Sequence, residues 1–224
     1  MPGPTSQPLC LVLVSDTHGR HAELEMPKGD ILLHAGDLTP RGTLAELRAT
    51  ARWLASLPHA HKVVIAGNHD FCLEERPEES RRILEEEGGV TYLLDEEVSL
   101  RGLRIWGSPW QPWFYDWAFN LRRGAPIAEK WALIPSGIDV LVTHGPPAGI
   151  LDRTVSGEAA GCQDLSSAIE RTRPRLHLFG HIHEAYGRLT WEGTLYVNAS
   201  ACDLSYRAVQ PPVVVTWPPG GTSR

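Results

Sequence analysis

Five apolar runs, each cut short by polar residues of the same few kinds, constrain this chain more than any other feature. Leu9-Cys10-Leu11-Val12-Leu13-Val14 leads into Ser15-Asp16-Thr17-His18-Gly19, and Ile31-Leu32-Leu33 into His34-Ala35-Gly36-Asp37. Lys62-Val63-Val64-Ile65-Ala66 leads into Gly67-Asn68-His69-Asp70. Val140-Leu141-Val142 leads into Thr143-His144-Gly145-Pro146-Pro147, and Leu176-His177-Leu178-Phe179 into Gly180-His181-Ile182-His183. Short apolar runs bounded by Gly and Pro read as buried strands. Polar residues just past such strands sit on loops at one edge of a sheet, where open α/β folds place ligands. The glycines permit tight turns and close backbone approach. Five such loops can surround a pair of metal ions. Their donors are carboxylate, imidazole and one amide, with no thiolate, which suits hard or borderline divalent metals that also bind a phosphate oxygen.

These motifs, in this order, resemble the calcineurin-like metallophosphoesterase superfamily. Gly107-Ser108-Pro109-Trp110-Gln111-Pro112-Trp113-Phe114, Thr143 to Pro147, Phe179 to Glu184 and Tyr196-Val197-Asn198-Ala199-Ser200 look further like the metallophosphoesterase-domain-containing (MPPED) family. The resemblance covers roughly residues 9 to 217. It implies an α/β fold, a four-layer sandwich of two central mixed β-sheets flanked by helices, and phosphodiesterase activity on nucleotides. It also implies ligands. Asp16, His18 and His183 would hold one metal, Asn68, His144 and His181 the other, and Asp37 would bridge them. A bridging carboxylate suits cations about 3.5–4 Å apart, the spacing of two-metal hydrolytic sites. His69 would lie outside the ligand set and face the leaving-group oxygen as proton donor or electrostatic stabiliser. One position departs from the pattern. Several relatives carry an aspartate three residues after the bridging one to orient the catalytic histidine, and Pro40 stands there in this chain. The orienting carboxylate then comes from elsewhere, with Asp70 the candidate, or is absent.

The expected chemistry is hydrolysis of cyclic nucleotides (2′,3′ or 3′,5′) or related small phosphodiesters by a hydroxide bridging two divalent ions, with His69 assisting the leaving group. Mn²⁺ is the expected metal, and Fe and Zn²⁺ also fit the donors. A nucleoside monophosphate would be a product or inhibitor. Two readings compete: a phosphomonoesterase or nuclease built on the same metals, and a metal-binding interaction scaffold that has lost catalysis. The complete donor set, with both His183 and His69 present, argues against the scaffold.

Charge bears on the partners. A net charge of −6 argues against non-specific binding to nucleic-acid backbones. Two divalent ions less the Asp16 and Asp37 carboxylates would still leave a local charge of about +2, an anion trap on an acidic protein. Cys10, Cys72, Cys162 and Cys202 form no Cys-x-x-Cys pair, which fits a reducing, cytoplasmic compartment. No apolar run reaches membrane-spanning length, and Met1 to Pro8 is polar and proline-rich without a basic segment. Neither secretion nor a membrane partner is expected.

At 224 residues with 42% hydrophobic content, a single domain over 9–217 is expected between loose tails at 1–8 and 218–224. Thr43 to Leu57 reads as an amphipathic helix capped by Thr43, with Leu44, Leu47, Ala51 and Leu54 inward. Pro77 to Glu87 reads as a helix stopped by Gly88-Gly89, with a solvated Glu85-Glu86-Glu87 face. Helices are also expected over Pro126 to Leu133 and over Asp164 to Thr172, the latter capped by Asp164. Arg101-Gly102 and Glu192-Gly193 each mark a hairpin turn, and Val213 to Trp217 a last strand.

The segment from Trp106 to Phe119 holds seven of the chain's seventeen aromatic residues, at a spacing that fits neither strand nor helix. Part of it belongs in the core. The rest, among Trp110, Trp113, Phe114 and Trp117, is a candidate platform for a nucleobase, since stacking on an aromatic is worth about 1–3 kcal/mol per base. A homodimer contact is the competing use. His34 and His177, inside apolar runs, read as hydrogen-bonded core histidines, and His59 and His61 as surface residues. Arg41 reads equally as a phosphate contact or a surface ion pair. His21 reads more readily as a loop residue away from the site. Asn198 and Ser200, which follow a strand, read as residues that either support the ligands or shape a turn.

Overall fold

β1 (Leu9–Val14) is apolar on both faces, and such a strand must be covered on both. Leu11 and Leu13 enter one apolar cluster and Val12 and Val14 another, so consecutive residues alternate between two cores. The computed structural model describes residues 8–218. The expected tails lie outside the described residues, apart from Pro8 and Pro218.

After β1 come β2 (Ile31–His34), α1 (Leu44–Ser56), β3 (His61–Val64), α2 (Phe71–Glu75) and α3 (Pro77–Arg82). Then follow β4 (Thr91–Tyr92), β5 (Glu96–Leu100), β6 (Leu103–Ser108), β7 (Gln111–Pro112) and β8 (Asn120–Leu121). The remainder is α4 (Ala125–Ala132), β9 (Val140–Thr143), α5 (Gln163–Thr172), β10 (Leu176–Phe179), β11 (Gly187–Trp191), β12 (Thr194–Asn198) and β13 (Val213–Trp217). One sheet has the order β13-β1-β2-β3-β4, parallel except for β13. The other has the order β11-β12-β10-β9-β6-β5, with antiparallel pairs only at its two edges. The inner faces meet in a cluster that includes Leu11, Leu33, Ile65, Ile105, Val142, Leu178 and Val197. α1 covers the outer face of the first sheet through Leu47, Ala51 and Leu54, and α4 and α5 cover the second through Ile127, Trp131, Leu165 and Ile169. This is the expected four-layer sandwich.

Local chemistry sets the element ends. Thr43 accepts from Glu46 N while the Glu46 carboxylate accepts from Thr43 N, a complete capping box at the start of α1. Arg101 and Gly102 (φ 52° and 83°) turn β5 into β6, and Glu192 and Gly193 (φ 48° and 84°) turn β11 into β12. Positive φ at both central residues is what a type I′ hairpin turn requires.

Several expectations shift. The helix from Pro77 is α-helical only to Arg82 and continues as a π-helical turn over Ile83–Glu87 before Gly88. There the expected solvated glutamates do face out, with Glu85 against Arg81 and Glu87 against Arg48. Asp164 does not cap α5. Cys162 holds that position, and the Asp164 carboxylate accepts from Gly124 N instead, tying α5 to the start of α4. His59 is buried, not on the surface, because its Nε2–H donates to the Pro27 carbonyl at 2.9 Å. All four cysteines are free thiols. Among the described residues no helix is long and apolar enough to cross a membrane.

Candidate active site

The two sheets are joined at the edge where their parallel strands end. Ser15, just past β1, bridges Ser200, just past β12: Ser15 N donates to Ala199 O and Ala201 N to Ser15 O. The motif loops after β1, β2, β3, β9 and β10 all open at this seam. Two glycines let them approach. A Cβ on Gly180 would collide with the Asp16 carboxylate, and one on Gly67 with Asp37 and the His144 ring. Four of the candidate donors have left-handed backbone, Asp16 (φ 52°), His18 (41°), Asp37 (54°) and His181 (68°). Such conformations cost non-glycine residues about 1–3 kcal/mol and collect at functional sites.

Asp16, His18 and His183 converge, with ligand atoms all within 4.8 Å of one another, and so do Asp16, Asp37 and His144. His18 Nε2 lies 3.3 Å from His183 Nε2 and 3.5 Å from Asp37 Oδ2. His144 Nε2 lies 3.5 Å from Asp37 Oδ2 and 2.8 Å from Asn68 Oδ1. The His181 ring packs edge-on to the His144 ring at 5.0 Å. The structure therefore brings all seven candidate donors to one place, and all but His181 are buried.

Supporting groups fix which atom each donor presents. The Asp16 carboxylate accepts from His181 N and from Ser200 Oγ, and Ser200 N in turn donates to Asn198 Oδ1. His144 Nδ1–H donates to Ala35 O and His183 Nδ1–H to Asp203 O, which turns both Nε2 atoms inward.

The electrostatics ask for positive charge. Burial opposes ionisation of His144, yet the Asp37 carboxylate beside it overrides burial and pushes the imidazole up to about 9. Burial likewise opposes His183, and the hydrogen bond to Asp16 pushes it up to about 9. Burial also acts against both carboxylates, but the surrounding histidines hold Asp16 and Asp37 well below the usual range. His18, pushed down to about 4 by burial, keeps Nδ1 buried without a partner. Two buried carboxylates ringed by inward-facing imidazole nitrogens are a donor set that fits divalent cations.

His69 sits beside this cluster, and its ligand atom also falls within 4.8 Å of those of His18 and Asp37. Its backbone N–H donates to Asp37 Oδ1 at 2.8 Å. What orients its ring is neither Asp70 nor any other carboxylate. The Nδ1–H donates to the carbonyl of Pro40, 2.9 Å away, so the residue that breaks the family pattern supplies the contact through its backbone. Asp70 is buried beneath, where it accepts from Leu38 N, Thr39 N, Thr39 Oγ1 and Gly67 N and so ties the second motif loop to the third. Burial, with Asp37 nearby, pushes its carboxyl up to about 6.

The four candidate aromatics go to three places. Trp117 stacks on His69 with ring centres 4.3 Å apart, and Phe114 meets the His181 ring at 5.0 Å. Both line a cavity of about 160 Å³ with Asp37, Asn68, His69, His181 and His183. Trp113 lines an adjoining cleft beyond Phe114. Trp110 lines neither. Its indole N–H donates to Asp95, its ring lies under Lys130 Nζ at 4.4 Å, and it packs against Phe119, which corrects the expectation for that residue.

Tyr206 and Leu204 complete the cavity wall, and sequence reading missed both. The Tyr206 ring is 4.8 Å from that of His18 and 5.9 Å from that of His183. Their loop is pinned by Asp203, which accepts from Ser205 N, Arg207 N and the Arg207 guanidinium. The other histidines lie outside the cavity. His34 bonds Thr17 Oγ1 and accepts from Gly36 N, His177 bonds Thr143 Oγ1, and His21 stacks on Trp53. Arg41 is exposed.

A mixed two-sheet sandwich with carboxylates and histidines gathered at its strand ends defines a class. The profile of the calcineurin-like phosphoesterases matches residues 11–185, and the chain belongs to that family. Within it, the chain is similar to metallophosphoesterase domain-containing protein 1 of Homo sapiens, 45% identical over 229 residues that span 92% of this chain and 70% of that protein. A UPF0046 protein of Caenorhabditis elegans is 37% identical over 95% of this chain and 83% of its own length. Among solved structures, the phosphopantetheinyl hydrolase PptH from Mycobacterium tuberculosis matches with a TM-score of 0.64 over 96% of this chain and 98% of that one. At 17% identity, that likeness is one of fold alone.

Proposed function

We propose that the chain is a metal-dependent phosphodiesterase for small nucleotide-derived esters, cyclic nucleotides among them. Asp16, His18 and His183 would hold one divalent ion, Asn68, His144 and His181 the other, with Asp37 shared. When bound, the ions supply Lewis-acid stabilisation of phosphoryl oxygens and lower the pKa of water. Mn²⁺ is the ion we favour. The residues do the rest. His69, held at Nδ1 by Pro40 O, presents Nε2 to the cavity, where it can pass a proton to a departing oxygen. Trp117 backs the His69 ring and, with Phe114 and Tyr206, walls the cavity.

The observation that carries this reading is the meeting of seven donors from five strand ends at a cavity with aromatic walls. The test is a side-by-side assay of chelator-stripped protein given Mn²⁺, Fe²⁺ or Zn²⁺. The substrates would be bis(p-nitrophenyl) phosphate, 2′,3′- and 3′,5′-cyclic AMP, AMP and single-stranded DNA. We expect the three small diesters alone to turn over, Mn²⁺ to restore the most activity, and AMP to inhibit. Turnover of AMP or DNA but no small diester would overturn the reading, as would full activity without metal.

A further inference from the structure

The cavity at the candidate metal residues, about 160 Å³, is smaller than the roughly 300–1,000 Å³ of most small-molecule sites. It does not end there. Phe114, His181 and Leu204 also line a second cleft of about 640 Å³, which runs past Gly145, Trp113, Tyr115 and Arg123. The two spaces share the walls formed by Phe114, His181 and Leu204. His69 and Trp117 stand only on the first, and Trp113, Tyr115 and Arg123 only on the second.

We propose that this second cleft is a nucleoside site for the half of a linear phosphodiester that stays esterified. The proposal rests on the phosphodiesterase reading above. The preferred substrate then carries a nucleoside on the side of phosphorus away from His69. Water adds its oxygen to phosphorus, and the P–O bond to the substituent beside His69 breaks. That oxygen leaves as the alcohol with a proton from His69 Nε2, a proton from the attacking water is released, and the nucleoside in the cleft departs as its monophosphate.

Three observations favour a nucleoside. Trp113 and Tyr115 are large aromatics left 55% and 81% exposed on a backbone that is not loose. Trp113 N donates to Leu121 O, and the Asn120 amide donates to the carbonyls of Phe114 and Tyr115, so the rings are displayed from a fixed platform. Arg123 is set in place by two carbonyls, Ala160 O and Gly161 O, and retains N–H groups for a ligand. Glu158, also on the lining, offers an acceptor. Flat faces bordered by donors and acceptors match a base, which stacks on its face and hydrogen-bonds at its edge.

Two esters with one leaving group isolate the cleft: thymidine 5′-(p-nitrophenyl) phosphate and methyl p-nitrophenyl phosphate. With the Mn²⁺-loaded protein, kcat/KM should favour the thymidine ester by about tenfold or more. Trp113→Ala and Tyr115→Ala should each lower that ratio, and calorimetry should show weaker binding of thymidine 5′-monophosphate to both variants. A ratio near one, or one that neither substitution moves, overturns the cleft while the phosphodiesterase reading stands. Failure of both esters with every metal overturns both.

Discussion

His69 and Asp37 lie side by side, and their replacement separates holding a metal from moving a proton. Asp37→Ala removes the carboxylate that faces both His18 and His144, so the variant should lose both ions and all metal-dependent turnover. His69→Ala should keep both ions, measured by mass spectrometry of the desalted protein, while turnover falls about 10²–10⁴-fold. An alkoxide leaving group should suffer more than a phenoxide, which needs its proton less. Loss of an ion from the histidine variant would instead make His69 a ligand, a role that its distance to His18 and Asp37 leaves geometrically open. At this scale the donors were legible because side chains carry them in order along the sequence. The Pro40 carbonyl was not, since any residue offers a carbonyl and only the loop's course brings this one to His69. Tyr206 was missed for a similar reason. A lone tyrosine in Asp203-Leu204-Ser205-Tyr206-Arg207 has no spacing that marks it.

Among the elements, α1 offers the cleanest test of local chemistry. Thr43→Ala removes the hydroxyl half of its capping box, leaving the bond from the backbone N–H of residue 43 to Glu46, and should lower stability by about 1 kcal/mol in urea unfolding, with turnover unchanged. A midpoint equal to that of the parent would show that packing of Leu47, Ala51 and Leu54 alone sets the start of the helix. The long strands and both hairpins could be read in advance because period and turn residues agree there. β4, β7 and β8 could not, being two residues each, too short to show a period of their own. The π-helical turn at Ile83–Glu87 leaves no trace in a pattern that reads as plain helix. His59 misled because a polar residue after a helix is usually wet, and a carbonyl from Pro27 keeps it dry.

On the scale of the whole molecule, the candidate ligands come from loops of both sheets, so bound ions would clamp one sheet to the other. Mn²⁺ at a hundred times its Kd should add about 2.7 kcal/mol per site. Differential scanning fluorimetry should show a melting temperature several degrees higher with Mn²⁺ than with chelator, and Asp37→Ala should show no such rise. The Ser15–Ser200 seam has a temporal consequence as well. Asp16 leaves the ribosome before the Ser200 hydroxyl that steadies its carboxylate, which follows 184 residues later. An emerging chain therefore carries Asp16, His18, Asp37 and Asn68 well before His144, His181 and His183. Only when the second group has followed do the two halves of the ligand set meet, so a filled site is a record that motif loops far apart in the sequence have both been made and have folded together.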